Sequence, residues 1–417
     1  MNLKNKKIMV VDKGLFEHIA IKLARVCQVY YWLQGETPYP ESPRSKIGTG
    51  YNGMERVNCP WPLKDEIDLW VFPDVYNSGI VESLRAEGRL VFGAGAGEEL
   101  ELDRLVLRET LKEVGLPVNP SFEVVKGVNN LRNYLKGKTD LYIKLSYFRG
   151  DFETFHHEDE DQTNDWLDDL VSRIGGNQED IQFLVESPIE ADCESGYDGF
   201  EVEGQVPEYS SVGYEIKDQG IIEKIFQTLP PIIEGVNKKM APVFSDYGYR
   251  GFYSNELRIT KDGSPYLIDA TCRAGSPPSE LTCDMYTDES YAKALFDVAA
   301  GQMPRLDPVS EYGAEIILRS SWYDKHQLRV KFPPEIDRYV KLKNSYRVGP
   351  RHYICVPNGN GAFFGAVIGL GDTAERAIRA AEENRDKIKC LELEFDKDFK
   401  TEAMEQIEKG ARHGIQF

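Results

Sequence analysis

The chain has 417 residues, too many for one ordinary hydrophobic core, and its 41% hydrophobic and 29% charged residues give the balance of a folded globular protein. Lys and Arg number 50 against 69 Asp and Glu, and the net charge of -19 repels both nucleic-acid phosphates and anionic membrane surfaces, so neither is expected as a partner. Seven scattered cysteines without a CxxC pair, no signal-peptide core in MNLKNKKIMVVD, and no apolar run of roughly 18 residues lead us to expect reduced thiols in a soluble cytoplasmic protein of two to four packed units.

The first elements follow a strand, helix, strand order. KKIMVVD reads as a buried strand, and LFEHIAIKLARV after Gly14 has helical apolar spacing. IDLWVFPD, SGIVESLRAEG and RLVFGAG repeat the pattern, which predicts a parallel α/β domain over residues 1–97. The Pro-, Gly- and Tyr-rich stretch from Gln34 to Lys64 is expected as a surface excursion. GAGAGEE, from Gly93, lacks the GxGxxG spacing of a dinucleotide site and reads as a tight turn between domains.

GEELELDRLVLRETLKEVG predicts one helix ending at Gly115. Short strands at FEVV, LYIKLS and IQFLVES surround the acidic run HHEDEDQTNDWLDDLVSRIGG, suggesting a small antiparallel lobe. The adjacent His156 and His157 would face opposite ways on a strand, so a solvated acidic loop is expected there rather than a metal site. NELRIT and SPYLIDAT read as two strands joined at Lys261-Asp262-Gly263-Ser264. Further strands (AEIILRSS, HYICVP, FFGAVIGLG) and the helix TAERAIRAAEENRDKI complete the chain.

The hairpin carries the chemistry. Alternation puts Asp269, Thr271 and Arg273 on one face, and pairing across the turn can bring Glu256 beside them. Two carboxylates and a guanidinium at that spacing suit a hard cation bridging nucleotide phosphates, with the arginine stabilising a transferring phosphoryl group. They equally suit a salt-bridged pair of strands on a solvated face.

NELRITKDGSPYLIDATCRAGSPPSEL resembles the metal-binding strand pair of ATP-grasp enzymes, in which an acid and a turn precede Glu-x-Asn-x-Arg-x-Gly. Residue by residue, Glu256 takes the place of the first acid, Asp269 that of the Glu, Thr271 that of the Asn, Arg273 that of the Arg, and Gly275 that of the Gly. DKGLFEHIAIKLA, DLWVFPDVYNSGIVESLRAEGRLVFGAG and GLGDTAERAIRAAEENRDKI extend the resemblance, over nearly the whole chain, to the phosphoribosylamine–glycine ligase family. Glu17 and His18 of its opening motif are kept; Arg104 and Arg108 stand where that family has lysines. Two departures stand out. The family's Gly-rich flap is replaced by Ser146-Tyr147-Phe148-Arg149-Gly150-Asp151, and its Asp-Pro-Glu after the Arg-x-Gly by Ser276-Pro277-Pro278.

The resemblance implies an α+β ATP-grasp architecture: a Rossmann-like domain over 1–97, an ATP-grasp domain over 98–310 with a lid lobe at 119–186, and an α+β domain over 311–417. It implies ATP, with magnesium or manganese, as cofactors. Glu256, Asp269 and Thr271 would hold the metal, and Arg104, Lys144, Arg149, Glu186 and Glu194 would contact the nucleotide, with Lys144 and Arg273 in catalytic roles. Without the resemblance, Lys144 reads as a strand-edge lysine and Glu186 as a surface carboxylate. The implied activity joins a carboxylate to an amine through an acyl phosphate, as in purine biosynthesis, by a monomer or homodimer acting on small molecules. The alternatives are a ligase joining an amino acid to a different small amine, and a nucleotide-binding protein whose chemistry has decayed.

Overall fold

In the computed structural model the chain divides into two compact units, one formed by Met1–Glu98, Glu194–Glu256 and Thr271–Phe417, the other by Glu99–Cys193 and Leu257–Ala270. The structure describes residues 2–35, 43–119, 121–146, 154–359, 361–395 and 398–417.

The first unit opens with β1 (Lys7–Asp12), α1 (Glu17–Leu23), β2 (Gln28–Leu33), β3 (Met54–Val57), β4 (Leu69–Val71), α2 (Ser78–Ala86) and β5 (Val91–Phe92). The strands are parallel, in the order β3-β2-β1-β4-β5. Ile8, Met9, Val10 and Val11 of β1 are all buried, as a continuous apolar run must be when both faces of a parallel sheet are covered. The expected excursion contributes an edge strand, β3. Only Met54 of its MERV is buried, so no apolar alternation announced it.

The second unit begins where a single helix was expected and instead has two, α3 (Glu99–Leu102) and α4 (Arg104–Glu113). Asp103 separates them. Its backbone is extended and its carboxylate accepts hydrogen bonds from the Leu105 and Val106 N–H groups at 2.9 and 3.3 Å, an N-cap that starts α4 afresh. There follow β6 (Glu123–Lys126), α5 (Val128–Leu135), β7 (Leu141–Leu145), β8 (Thr154–His157), α6 (Glu160–Ile174) and β9 (Gln182–Glu186). The strands form an antiparallel sheet in the order β6-β9-β7-β8. Its core packs Val128, Leu131 and Leu135 of α5 and Leu167 and Leu170 of α6 onto Ile143, Leu145, Phe183 and Val185.

The acidic run is therefore a helix, not a loop. Asp159 caps it by accepting from the Gln162 N–H at 2.8 Å, and Thr163, Leu167 and Leu170 recur on its buried side while the acids face water. The two histidines do point apart: His156 stacks on Tyr142 with ring centroids 4.5 Å apart, while buried His157 bonds Thr163 Oγ1 at 2.6 Å and the Lys138 carbonyl at 2.9 Å.

The chain continues through β10 (Cys193–Val202), β11 (Ser210–Ile216), β12 (Gly220–Phe226), α7 (Pro231–Asp246), β13 (Arg250–Ile259) and β14 (Pro265–Thr271). It then forms α8 (Ser279–Thr282), α9 (Asp288–Ala299), β15 (Tyr312–Ser320), β16 (Leu328–Lys331), β17 (Val340–Leu342), β18 (Ser345–Gly349), β19 (His352–Cys355), β20 (Phe363–Gly371), α10 (Ala374–Arg385), β21 (Leu393–Glu394) and α11 (Phe399–Arg412). In the first unit the main sheet runs β13-β10-β11-β12-β15-β20-β17, with β21 on β15, and a small sheet runs β16-β19-β18. In the second unit, residues 257–259 and 265–270 lead into and out of the expected turn, closed by Thr260 N–H to the Ser264 carbonyl at 3.1 Å and Gly263 N–H to the Thr260 carbonyl at 2.8 Å. All seven cysteines are free. Among the described residues no helix is long and apolar enough to cross a membrane.

Candidate functional site

In the second unit, Arg104 and Arg108 are four residues apart on α4 and so share a face. Lys144 lies on β7, and β9 pairs with it so that Glu186 stands opposite Tyr142, a diagonal neighbour of Lys144 on the same side of the sheet. Arg108 grips Glu186 with two parallel bonds, and Lys144 Nζ lies 3.4 Å from Glu186 Oε2. Burial alone would raise the Glu186 pKa; the Arg108 hydrogen bond and the Lys144 charge outweigh it and hold the carboxyl below its ordinary value. Arg104 forms an ion pair with Asp269 of β14, and its N–H donates to Ser146 Oγ at 3.1 Å. Arg104, Arg108, Lys144 and Glu186 are each less than a tenth exposed. Guanidinium and ammonium groups gathered in this way are of the kind that hold phosphate oxygens. Arg149 lies outside the described residues, as does the rest of the replaced flap beyond Ser146.

The first unit holds Glu194 on β10, Glu256 on β13, Thr271 at the end of β14, and Arg273, all half-buried. β14 stops at Thr271, so strand alternation does not carry through to Arg273, whose Nη1 donates to the Ala274 carbonyl at 3.1 Å. Glu194, Asp198 and Glu256 lie near enough to Glu215 for their charges to act on it. Among the described residues no three His, Cys, Asp or Glu side chains close into a metal site.

A second buried network escaped the sequence reading. Glu280 and Lys343 pair at 2.9 Å, both almost wholly buried, and Ser276 Oγ donates to Glu280 Oε1 at 2.8 Å. Burial opposes ionisation of Glu280, but the charges of Lys343 and the nearby His18 dominate and hold its carboxyl at about 2. Asp284 likewise gathers Lys341, Lys22 and Arg25. Glu17 and His18 of the opening motif connect to the same region: the Ser345 N–H donates to Glu17 Oε1 at 2.9 Å, and His18 Nε2 lies 3.1 Å from Ser279 Oγ. No motif marked Lys341 or Lys343. Their only signal is that two lysines flank Leu342 at a strand end.

Neither a protein-family model nor a curated protein matches the sequence. Solved structures do. Phosphoribosylamine–glycine ligase from Thermotoga maritima aligns over 94% of this chain and 99% of its own at a TM-score of 0.67 and 17% identity. The biotin carboxylase domain of 2-oxoglutarate carboxylase from Hydrogenobacter thermophilus, solved with MgADP, ADP and bicarbonate, aligns over 98% of each chain at 0.64 and 13%. L-amino acid ligase from Bacillus licheniformis aligns over 93% of this chain and 99% of its own at 0.58 and 15%. The fold is ATP-grasp. Within the ATP-grasp fold the structural likeness runs almost end to end on both sides, so the parallel opening domain, the four-stranded lobe and the C-terminal strands all have counterparts.

Proposed function

We propose that this chain is an ATP-dependent carboxylate–amine ligase acting through an acyl phosphate, with glycine and phosphoribosylamine as the specific substrates to try first. The reading is supported above all by the buried cluster of Arg104, Arg108 and Lys144 against Glu186 and Asp269, on the fold of such ligases. Lys144, Arg104 and Arg149 hold phosphate oxygens, and Glu186 and Glu194 complete the nucleotide contacts. Glu256, Asp269 and Thr271 supply oxygen donors for magnesium, which neutralises charge on the phosphates when bound. Arg273 stabilises the oxygens of the transferring phosphoryl group and of the acyl phosphate.

A second reading, a nucleotide-binding protein without ligase chemistry, draws on one observation. Arg104 pairs with Asp269, the very carboxylate the first reading gives to the metal. ADP release from magnesium-ATP with glycine and phosphoribosylamine, and with a panel of other acids and amines, separates the two. Turnover that vanishes in Asp269→Asn supports the ligase. Turnover with another pair keeps the mechanism and changes the substrates. ATP binding without turnover for any pair supports the second reading.

A further inference from the structure

His18, Ile21 and Arg25 recur at helical spacing along α1 and border a cavity of about 350 Å³, closed on its other side by Arg338, Lys341 and Tyr353. All belong to the first unit. Arg25, Arg338 and Lys341 are fixed on Asp284, a fully buried carboxylate that is not itself part of the wall: Arg25 Nη1 lies 2.9 Å and Arg338 Nη2 3.2 Å from Oδ1, and Lys341 Nζ pairs with Oδ2. Lys22 Nζ also reaches Oδ1, at 3.2 Å, and Asp288 shares Lys22 and Arg25. Arg338 and Lys341 pair with no other carboxylate among the described residues. Arg25 donates only through Nη1 and Arg338 only through Nη2, so each guanidinium keeps N–H groups without a hydrogen-bond partner among the described residues.

His18 adds a second, independent demand. It is 3% exposed, and its Nδ1 has no hydrogen-bond partner. Ser279 spends its hydroxyl proton on Glu280 Oε2 at 3.3 Å, so His18 Nε2, 3.1 Å from the same oxygen, must be the donor there. Burial lowers the His18 pKa to about 4, so the ring is neutral and Nδ1 is a bare acceptor. A buried acceptor calls for a donor. Glu335 and Asp337 also border the cavity, but both are exposed to water, and Asp337 is engaged by the Tyr353 hydroxyl and by Arg347 at 3.9 Å. The room, about 350 Å³ against roughly 30 Å³ for one water, falls in the range of small-molecule sites. An inorganic anion would leave most of it empty.

We propose that this cavity binds a hydroxylated phosphate monoester, with Arg25, Arg338 and Lys341 on the phosphate oxygens and His18 Nδ1 accepting a hydrogen bond from a hydroxyl of the organic part. Guanidinium groups suit phosphate because several N–H donors are set in one plane, and Asp284 holds both in place before the ligand arrives. His18 stands about two helical turns, roughly 10 Å along the chain axis, from Arg25, so a ligand that meets both must carry its hydroxyl away from its phosphate. None of these residues belongs to the nucleotide or metal groups assigned above, and the proposal does not rest on the ligase reading.

The test titrates the full chain with glycerol 3-phosphate by calorimetry, against methyl phosphate, which has the charge but no hydroxyl, and against glycerol, at equal ionic strength. Glycerol 3-phosphate should saturate one site, methyl phosphate should bind roughly threefold to tenfold more weakly, and glycerol should not bind. Arg338→Gln, at a half-exposed position, and Arg25→Gln should each weaken glycerol 3-phosphate by roughly tenfold or more, the scale of a lost charged hydrogen bond. Arg104→Gln, in the second unit, should leave that binding unchanged. No saturable binding of glycerol 3-phosphate, equal binding of the two phosphates, or binding that survives in whichever of the Arg338 and Arg25 variants folds overturns the proposal. Binding lost in Arg104→Gln but kept in Arg338→Gln places the phosphate at the nucleotide cluster and overturns it as well.

Discussion

Arg108 holds Glu186 through Nε to Oε1 at 2.6 Å and Nη2 to Oε2 at 3.0 Å, with both side chains buried and Lys144 against the same carboxylate. Removing the acid leaves two buried cations without it. Glu186→Ala should therefore destabilise the protein by about 3–5 kcal/mol, the cost of breaking a buried pair from one side. Arg108→Lys keeps the charge but loses the fork, and should cost less. Urea denaturation of the three proteins checks the order.

Glu280 and Lys343 give a pH signature. The folded carboxyl sits at about 2, below the unfolded value of about 4.3. A depressed acid stabilises fully above the unfolded pKa, and that contribution is lost as pH falls towards the folded one. Stability measured from pH 6 down to 2 should show this decline in the natural chain and a shallower one in Lys343→Met, which starts lower. Parallel curves would sink the assignment.

The Arg104–Asp269 pair predicts competition. If Asp269 also serves magnesium, Arg104→Gln removes its rival, so half-maximal ADP release should need less magnesium while KM for ATP rises through the lost phosphate contact. If the pair is only structural, the magnesium titration should not move.

Gly369 of β20 lies under α10 so closely that a Cβ there would sit 2.1 Å from the Ala381 nitrogen and 2.3 Å from the Ala377 carbonyl oxygen. These are backbone atoms and cannot swing aside. Gly369→Ala should cost about 1–3 kcal/mol or more and lower the melting temperature, with α10 the first element to lose amide-exchange protection.

The elements most legible in sequence were those whose neighbours in space are also neighbours in chain. β1 and α1 announced themselves by a buried apolar run followed by helical spacing, and the turn at Lys261 to Ser264 by its residues, because parallel α/β units and tight hairpins leave local patterns. The capped break at Asp103 and the helix hidden in the acidic run were also local, but a polar composition masked three buried residues of α6 and an internal Asp masked a cap. β10, β11 and β12 left less trace, since they are buried on most positions and carry Asp198, Ser211 and Glu223 where apolar residues would mark a strand.

By itself the sequence determined the fold class, the hairpin, and which residues are chemically capable: Lys144 and Glu186 on strands, Glu256 and Asp269 on either side of a turn. Only the tertiary structure decided who meets whom. It tied Glu186 to Arg108, Asp269 to Arg104 and Glu280 to Lys343, and laid Glu223 across Gly213 towards Asp198. The physical reason is that burial makes an ion pair or a lone carboxyl energetically decisive, and burial is set by strands and helices far apart in the chain, which no local pattern encodes.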